Sequence, residues 1–392
     1  MKKNILFIAA FTMLFSLSSG ISAQSDLQIF GFYQVQIQKV KGFSTVKGDV
    51  PTPAGVINMT FQDERNDYTS SNLQQLNVFF RKEITSKLTA WVNFEYINSF
   101  STERKWGDLN LEEAWVNYDF NPYLNIKAGY LIPKFNYMNE VKNRMPLLPY
   151  IVRPLVYETS LKSVINSGDF LPERAFLQLS GKVLSGEMEF NYSAYIGQAE
   201  PEYALSGENY GAAVTSTDTT NFKLFGGRVG FQYDNLRLGV SATFDKDNQQ
   251  ATLKEDVNRT RIGADLGFTF NSVFMDAEYI KVMLDSKKSS ADMDKLFYYG
   301  TLGYDINDKV FLYATYSYLE DKQVSFMANG MKGIMFGAGF KPVSSVVLKL
   351  QYASYQVEDG KFPVLIDSAL PPIQADTQLD FKGYLMALSI MF

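Results

Sequence analysis

One pattern recurs sixteen times along this chain: polar and apolar side chains change places at every step over a short stretch, and then the pattern breaks. The stretches are 27–39, 73–84, 88–100, 109–120, 123–131, 174–184, 187–197, 222–233, 236–245, 259–270, 273–284, 296–306, 309–319, 331–341, 346–357 and 379–392. Period two is the mark of a strand with one apolar face. A length of about ten residues is what a tilted strand needs to cross the hydrocarbon of a bilayer. The connections alternate as well. Short turns at Ser86-Lys87, Asn121-Pro122, Ser185-Gly186, Asp234-Asn235, Asn271-Ser272, Asn307-Asp308 and Pro342–Ser345 consist of residues that tolerate turn dihedrals. Between them lie longer polar stretches, 40–72, 101–108, 132–173, 198–221, 246–258, 285–295, 320–330 and 358–378. Short turns at one end and long loops at the other predict an all-β fold, a transmembrane antiparallel β-barrel of about 16 strands.

The charges favour a barrel over a soluble sandwich, whose inner face is dry and rarely holds charges in strand after strand. In 88–96, Leu88, Ala90, Val92, Phe94 and Tyr96 share one face, and Thr89, Trp91, Asn93 and Glu95 share the other. In 174–183, Ala175, Leu177, Leu179 and Val183 alternate with Arg174, Phe176, Gln178, Ser180 and Lys182. With the apolar face toward lipid, the lumen receives Arg81, Lys127, Arg174, Lys182, Arg228, Arg237, Arg261 and Lys349, against Glu95, Glu113, Glu189, Asp265, Asp276 and Glu278. That lumen is mixed and slightly basic. Aromatic content of 15% without a long apolar run suits the same fold, and tyrosines near strand ends (Tyr118, Tyr123, Tyr130, Tyr233, Tyr304, Tyr318) suit interfacial girdles.

The ends agree with export to an outer membrane. Lys2 and Lys3 precede the apolar run Ile5–Leu17 and the small residues Ser18–Ala23, so residues 1–23 read as a signal peptide and 24–392 as the barrel. The last strand closes on Phe392, with Tyr384, Met386, Leu388 and Ile390 on the same face. The chain holds no histidine and no cysteine. Imidazole-based and thiol-based catalysis are therefore excluded, and neither enzyme activity nor a metal or other cofactor is expected. A net charge of −5 without a charge block gives no nucleic-acid footprint.

Sixteen strands with a long third external loop resemble the general and substrate-specific outer-membrane porins. Within that group, AGYLIPKFNYMNE (Ala128–Glu140) and LPERAF (Leu171–Phe176) are similar to the phosphate-selective porin O/P type, although the family's basic ladders are not matched by this lumen. The resemblance implies a passive pore for small hydrophilic solutes or anions, a homotrimer in a lipid bilayer, and a third loop that folds inward to narrow the pore. The loop is 132–173. From Leu131 to Arg174 the cations Lys134, Lys142, Arg144, Arg153, Lys162 and Arg174 outnumber Glu140, Glu158, Asp169 and Glu173. The cations are the candidate constriction residues, and they predict a mild anion preference. The alternative is that each pairs with a carboxylate and stiffens the loop. The apolar run Met145–Ile151 is expected to pack on the wall. Segment 40–72 reads as a first external loop, and Asp245–Asn248 as a solvated loop with a weaker divalent-cation alternative. A non-conducting structural or binding barrel is the competing function.

Overall fold

The structure, a computed structural model, describes residues 27–52, 55–97, 108–158, 165–198, 223–247, 257–287, 293–323, 327–364 and 373–392. The signal segment 1–23 and Lys162 lie outside the described residues. Sixteen strands close into one ring: β1 (Leu27–Thr52), β2 (Gly55–Thr85), β3 (Leu88–Ile97), β4 (Asp108–Asn121), β5 (Leu124–Leu131), β6 (Ala175–Ser185), β7 (Met188–Gln198), β8 (Lys223–Tyr233), β9 (Leu236–Asp247), β10 (Val257–Phe270), β11 (Val273–Asp285), β12 (Lys295–Asn307), β13 (Val310–Asp321), β14 (Met331–Val343), β15 (Val346–Val364) and β16 (Ile373–Met391). Each strand is antiparallel to the next, and β1 closes on β16 with Phe32 opposite Met391.

The seam depends on a close approach. Gly31 N donates to Phe392 O at 2.9 Å, and Phe392 N returns a bond to Gly31 O at 3.0 Å. A Cβ on Gly31 would lie 2.4 Å from Asn77 O and 2.7 Å from the Phe392 ring, so only glycine fits there. The tight turns fall where the sequence places them. Gly186, Asp234 and Asn271 adopt φ of 62°, 47° and 51°, the left-handed conformation that two-residue hairpins require.

The faces sort as the alternation predicts. Along β10, Arg259, Arg261 and Asp265 are buried while Ile262 and Phe268 are exposed. Around the ring, Val229, Val240, Phe244, Leu302, Leu312, Phe336, Leu350 and Met386 form an apolar outer surface. Water gives no reason to expose such a belt, whereas a bilayer does. Tyr118, Tyr123, Tyr233 and Tyr304 stand exposed beside the short turns, where a girdle belongs.

Three expectations need correction. Segment 40–72 is not a loop: β1 and β2 run on as one hairpin, paired register by register to Thr52 opposite Gly55. Likewise, much of 358–378 belongs to β15 and β16, which stay paired out to Val364 opposite Ile373. In the third, a register shift between Ala175 and Leu177 inverts the start of β6: Ala175 is buried and Phe176 exposed, the reverse of the simple alternation. The matching irregularity on β5 lies between Ala128 and Leu131 and includes Gly129 at φ 132°. There the chain leaves the wall to begin 132–173.

Candidate functional site: the 132–173 segment and the wall it touches

Rather than lacking structure, the described part of 132–173 holds two short helices, α1 (Asn136–Val141) and α2 (Ser167–Phe170), and single 3-10 turns at Met145–Leu147 and Leu155–Tyr157. Its hydrogen bonds reach strands far apart on the ring. Lys134 N donates to Gln178 Oε1 of β6 at 3.2 Å, and Asn136 N to Ser241 Oγ of β9 at 3.0 Å. Met138 N donates to Glu278 Oε1 of β11 at 2.7 Å, and the Tyr157 hydroxyl donates to the other oxygen of that carboxylate. Tyr150 OH pairs with Thr301 Oγ1 of β12 at 2.7 Å. Ile151 N and Val152 N both donate to Gln351 Oε1 of β15, at 2.6 and 2.9 Å. Across the seam, Gln74 and Gln75 of β2 donate to Ile151 O and Asn143 O at 2.9 and 3.0 Å. Burial, then the Glu278 carboxylate, pushes the Tyr157 hydroxyl up, and burial, with Asp276 and Glu278 nearby, does the same at Tyr150, so both phenols keep their protons.

Apolar packing supports these bonds. Phe135, Met138, Ile151, Leu155, Tyr157 and Phe170 join one cluster with Val282, Phe297, Tyr299, Tyr313, Leu319 and Met335 of the wall. Met145 reaches a second cluster with Phe32 and Phe79. The expected packing of Met145–Ile151 on the wall is thus found.

Charge divides the wall. On β1 to β3 the buried polar groups are chiefly amides: Gln34, Gln36, Gln38, Gln74, Gln75, Asn77 and Asn93. From β8 to β13 ion pairs join the buried hydroxyls. Arg228 grips Asp265 through two bonds of 2.7 and 3.0 Å, and Arg237 meets Asp276 at 2.8 Å while its guanidinium lies 3.3 Å from the centre of the Tyr137 ring. Arg259 and Arg261 share Asp245, and Lys295 holds Asp321 at 2.8 Å. Asp245 is therefore a buried strand residue engaged by two arginines, neither solvated loop nor cation site.

The candidate constriction residues do not form one ring. Arg153 is buried, with Nη1 donating to Lys142 O at 2.6 Å and Nε 3.6 Å from Glu158. Lys134 lies 3.7 Å from Glu140, and Arg144 is exposed. Lys142 and Arg174 line one cavity with Asn143, Glu95, Glu112, Glu158 and Glu173, and Arg174 also stacks 4.3 Å from the Tyr130 ring centre. Of the candidate lumen cations, Lys127 sits 4.1 Å from the Trp115 ring centre, Lys182 pairs with Glu189 at 3.1 Å, and Arg81 pairs with Glu83 at 2.6 Å. Lys349 is buried and donates to the segment at Met145 O (2.6 Å) and Tyr150 O (3.0 Å). Below the 3-10 turn at Met145, a cavity of about 740 Å³ opens among the short turns, lined by Leu147, Leu148, Asp305, Asp308, Lys309 and Lys341.

Sequence reasoning missed the apolar patch on the buried face of β11 to β15. The signal was there: LFYY at Leu296–Tyr299 is apolar on both faces, as a strand covered on both sides must be.

No family model matches the chain, and no curated protein does. Solved structures match its fold over nearly the whole length. An anion-selective porin from Comamonas acidovorans aligns at TM-score 0.57 and 11% identity, covering 93% of this chain and 99% of that one. The outer-membrane channel DcaP of Acinetobacter baumannii aligns at 0.55 and 12%, covering 95% and 99%. OmpT of Vibrio cholerae, in its trimer form, aligns at 0.53 and 12%, covering 94% and 100%. Identity this low makes the likeness one of fold.

Proposed function

We propose that the protein is an outer-membrane channel for passive diffusion of small hydrophilic solutes, with 132–173 folded into the lumen as its constriction. One observation carries the reading: a closed ring is apolar on the outside and lined with amides and ion pairs on the buried side. A segment bonded at once to β2, β6, β9, β11, β12 and β15 has its natural place within such a ring. Solutes would pass between the charged cavity at Lys142 and Arg174 and the lower cavity beside Leu147. Lys142 and Arg174 are the cations proposed for a mild anion preference, but four glutamates, Glu95, Glu112, Glu158 and Glu173, line the same cavity and its net charge runs against that preference. Arg153, paired to Glu158, is proposed to brace the loop. Phosphate selectivity rests only on the similarity at Ala128–Glu140 and Leu171–Phe176, and a homotrimer only on the resemblance and the trimeric OmpT neighbour.

The second reading is a non-conducting structural or binding barrel. Its support is how completely the inner wall is covered: Gln34, Asn77, Arg261, Thr301 and Lys349 are each at most 1% exposed. Single-channel recording of refolded protein in planar bilayers, with reversal potential under a salt gradient, separates the two. Stable conductance steps support the channel, and an anion-favouring reversal supports Lys142 and Arg174. A folded, heat-modifiable barrel without steps establishes the second reading.

A further inference from the structure

Three buried cations of the wall, Arg259, Arg261 and Lys295, lie beside α2. Within the wall, Asp245 pairs with both arginines and Asp321 with the lysine. The segment adds a carboxylate of its own. Asp169 Oδ2 accepts from Lys295 Nζ at 2.8 Å, and Asp169 Oδ1 lies 3.4 Å from Arg259 Nη1. Arg261 completes the grip through the backbone, with Nε donating to Asp169 O at 2.8 Å and Nη2 to Gly168 O at 2.7 Å.

We propose that Arg259, Arg261 and Lys295 form a carboxylate-binding site whose occupant here is the chain's own Asp169, so that a small solute carboxylate taking its place frees α2 from the wall. Contacts within the wall also hold these groups: the Asp245 carboxylate fixes both guanidiniums and Asp321 fixes the ammonium. Preorganised donors converging on two oxygens recognise a carboxylate whether or not it is tethered. Taking the Asp169 carboxylate away removes one anion from beside buried cations, which is costly. The tether gives Asp169 a high effective concentration, so a competing solute needs further contacts of its own.

The test removes the internal occupant. In full-length refolded Asp169→Ala, formate is the probe, because formate and the alanine methyl together replace the lost side chain. Formate should bring the urea unfolding midpoint of Asp169→Ala back toward wild type, chloride at equal ionic strength should not, and wild type should respond alike to both salts. Adding Arg259→Gln should abolish the rescue. Equal responses of Asp169→Ala to formate and chloride would overturn the site. Where Asp169→Ala fails to fold, Asp169→Ser gives the same comparison, and the yield of heat-modifiable barrel refolded in formate over chloride is a second readout. Release of α2 rests on the channel reading and is read separately, as higher single-channel conductance of Asp169→Ala. Rescue by formate in a barrel that never conducts would refute the channel and leave the site standing.

Discussion

Lys349→Met tests whether 132–173 is a docked constriction. Lys349 Nζ donates to Met145 O, Tyr150 O and Gln34 Oε1 at 2.6, 3.0 and 3.3 Å, which fastens the deepest turn of the segment to β15 and β1. Methionine keeps most of the volume and removes all three bonds. Tyr150 O then loses the partner it has from the wall, at about 1–3 kcal/mol for a buried acceptor left unmade. Met145 O keeps its bond from Leu148 N, so its loss is smaller, about 1 kcal/mol. The sum, roughly 2–4 kcal/mol, weakens docking of the turn by roughly thirtyfold to a thousandfold. The measurement is single-channel conductance beside the urea unfolding midpoint of the same preparation. Conductance should rise or become noisy while the barrel still forms and the midpoint falls. Lys309→Met is the control, since it removes a cation from the lower cavity where no bond joins it to the segment. Unchanged conductance and midpoint in Lys349→Met would refute the docking argument, and an equal effect in Lys309→Met would replace it with a charge effect.

Gly31→Val should prevent closure of β1 on β16, read as loss of the heat-modifiable band on refolding, because its side chain must enter space held by Asn77 O and the Phe392 ring. Leu155→Ala, at a fully buried position in the segment's apolar cluster, should lower stability by about 2–5 kcal/mol in urea titration without loss of the barrel. The double change Lys142→Glu with Arg174→Glu should shift the reversal potential toward cations, and an unmoved potential would place the selective charges elsewhere.

The strands were legible because lipid contact imposes the alternation. This also explains where the reading stopped. β1 and β2 run to 26 and 31 residues, far beyond the ten or so that cross a bilayer. Beyond the lipid an outward face need not be apolar, so the period-two signal fades at Val40 and Leu73 while backbone pairing continues. Hydropathy reports the solvent a strand faces. The ladder beyond it follows hydrogen bonding, which composition does not record. The inverted start of β6 escaped for a related reason: a one-residue irregularity between Ala175 and Leu177 changes the face without changing the sequence pattern.

The site was less legible because its chemistry is pairwise. Counting cations in 132–173 and along the wall predicted a slightly basic lumen, but a count treats Arg228 and Asp265, or Arg259 and Asp245, as separate charges. In the barrel they meet across neighbouring or next-nearest strands and cancel within 3 Å. On the channel reading, what matters to an ion is the residue of that cancellation, and among the described residues two places stand out. One is the cavity where Lys142 and Arg174 face Glu95, Glu112, Glu158 and Glu173. The other is the wall at Arg259, Arg261 and Lys295, to which Asp169 adds a negative charge while it stays docked. Lys295 and Asp321 lay just outside the strand bounds read from the alternation, 296–306 and 309–319, so the pair that completes this wall was out of sight. A segment that is itself a counterion changes the charge of the pore when it moves. Conductance and selectivity should therefore change together in Asp169→Ala: a larger pore with a more anion-favouring reversal potential. A larger pore of unchanged selectivity would mean that the charge on this wall does not face the path of the ions.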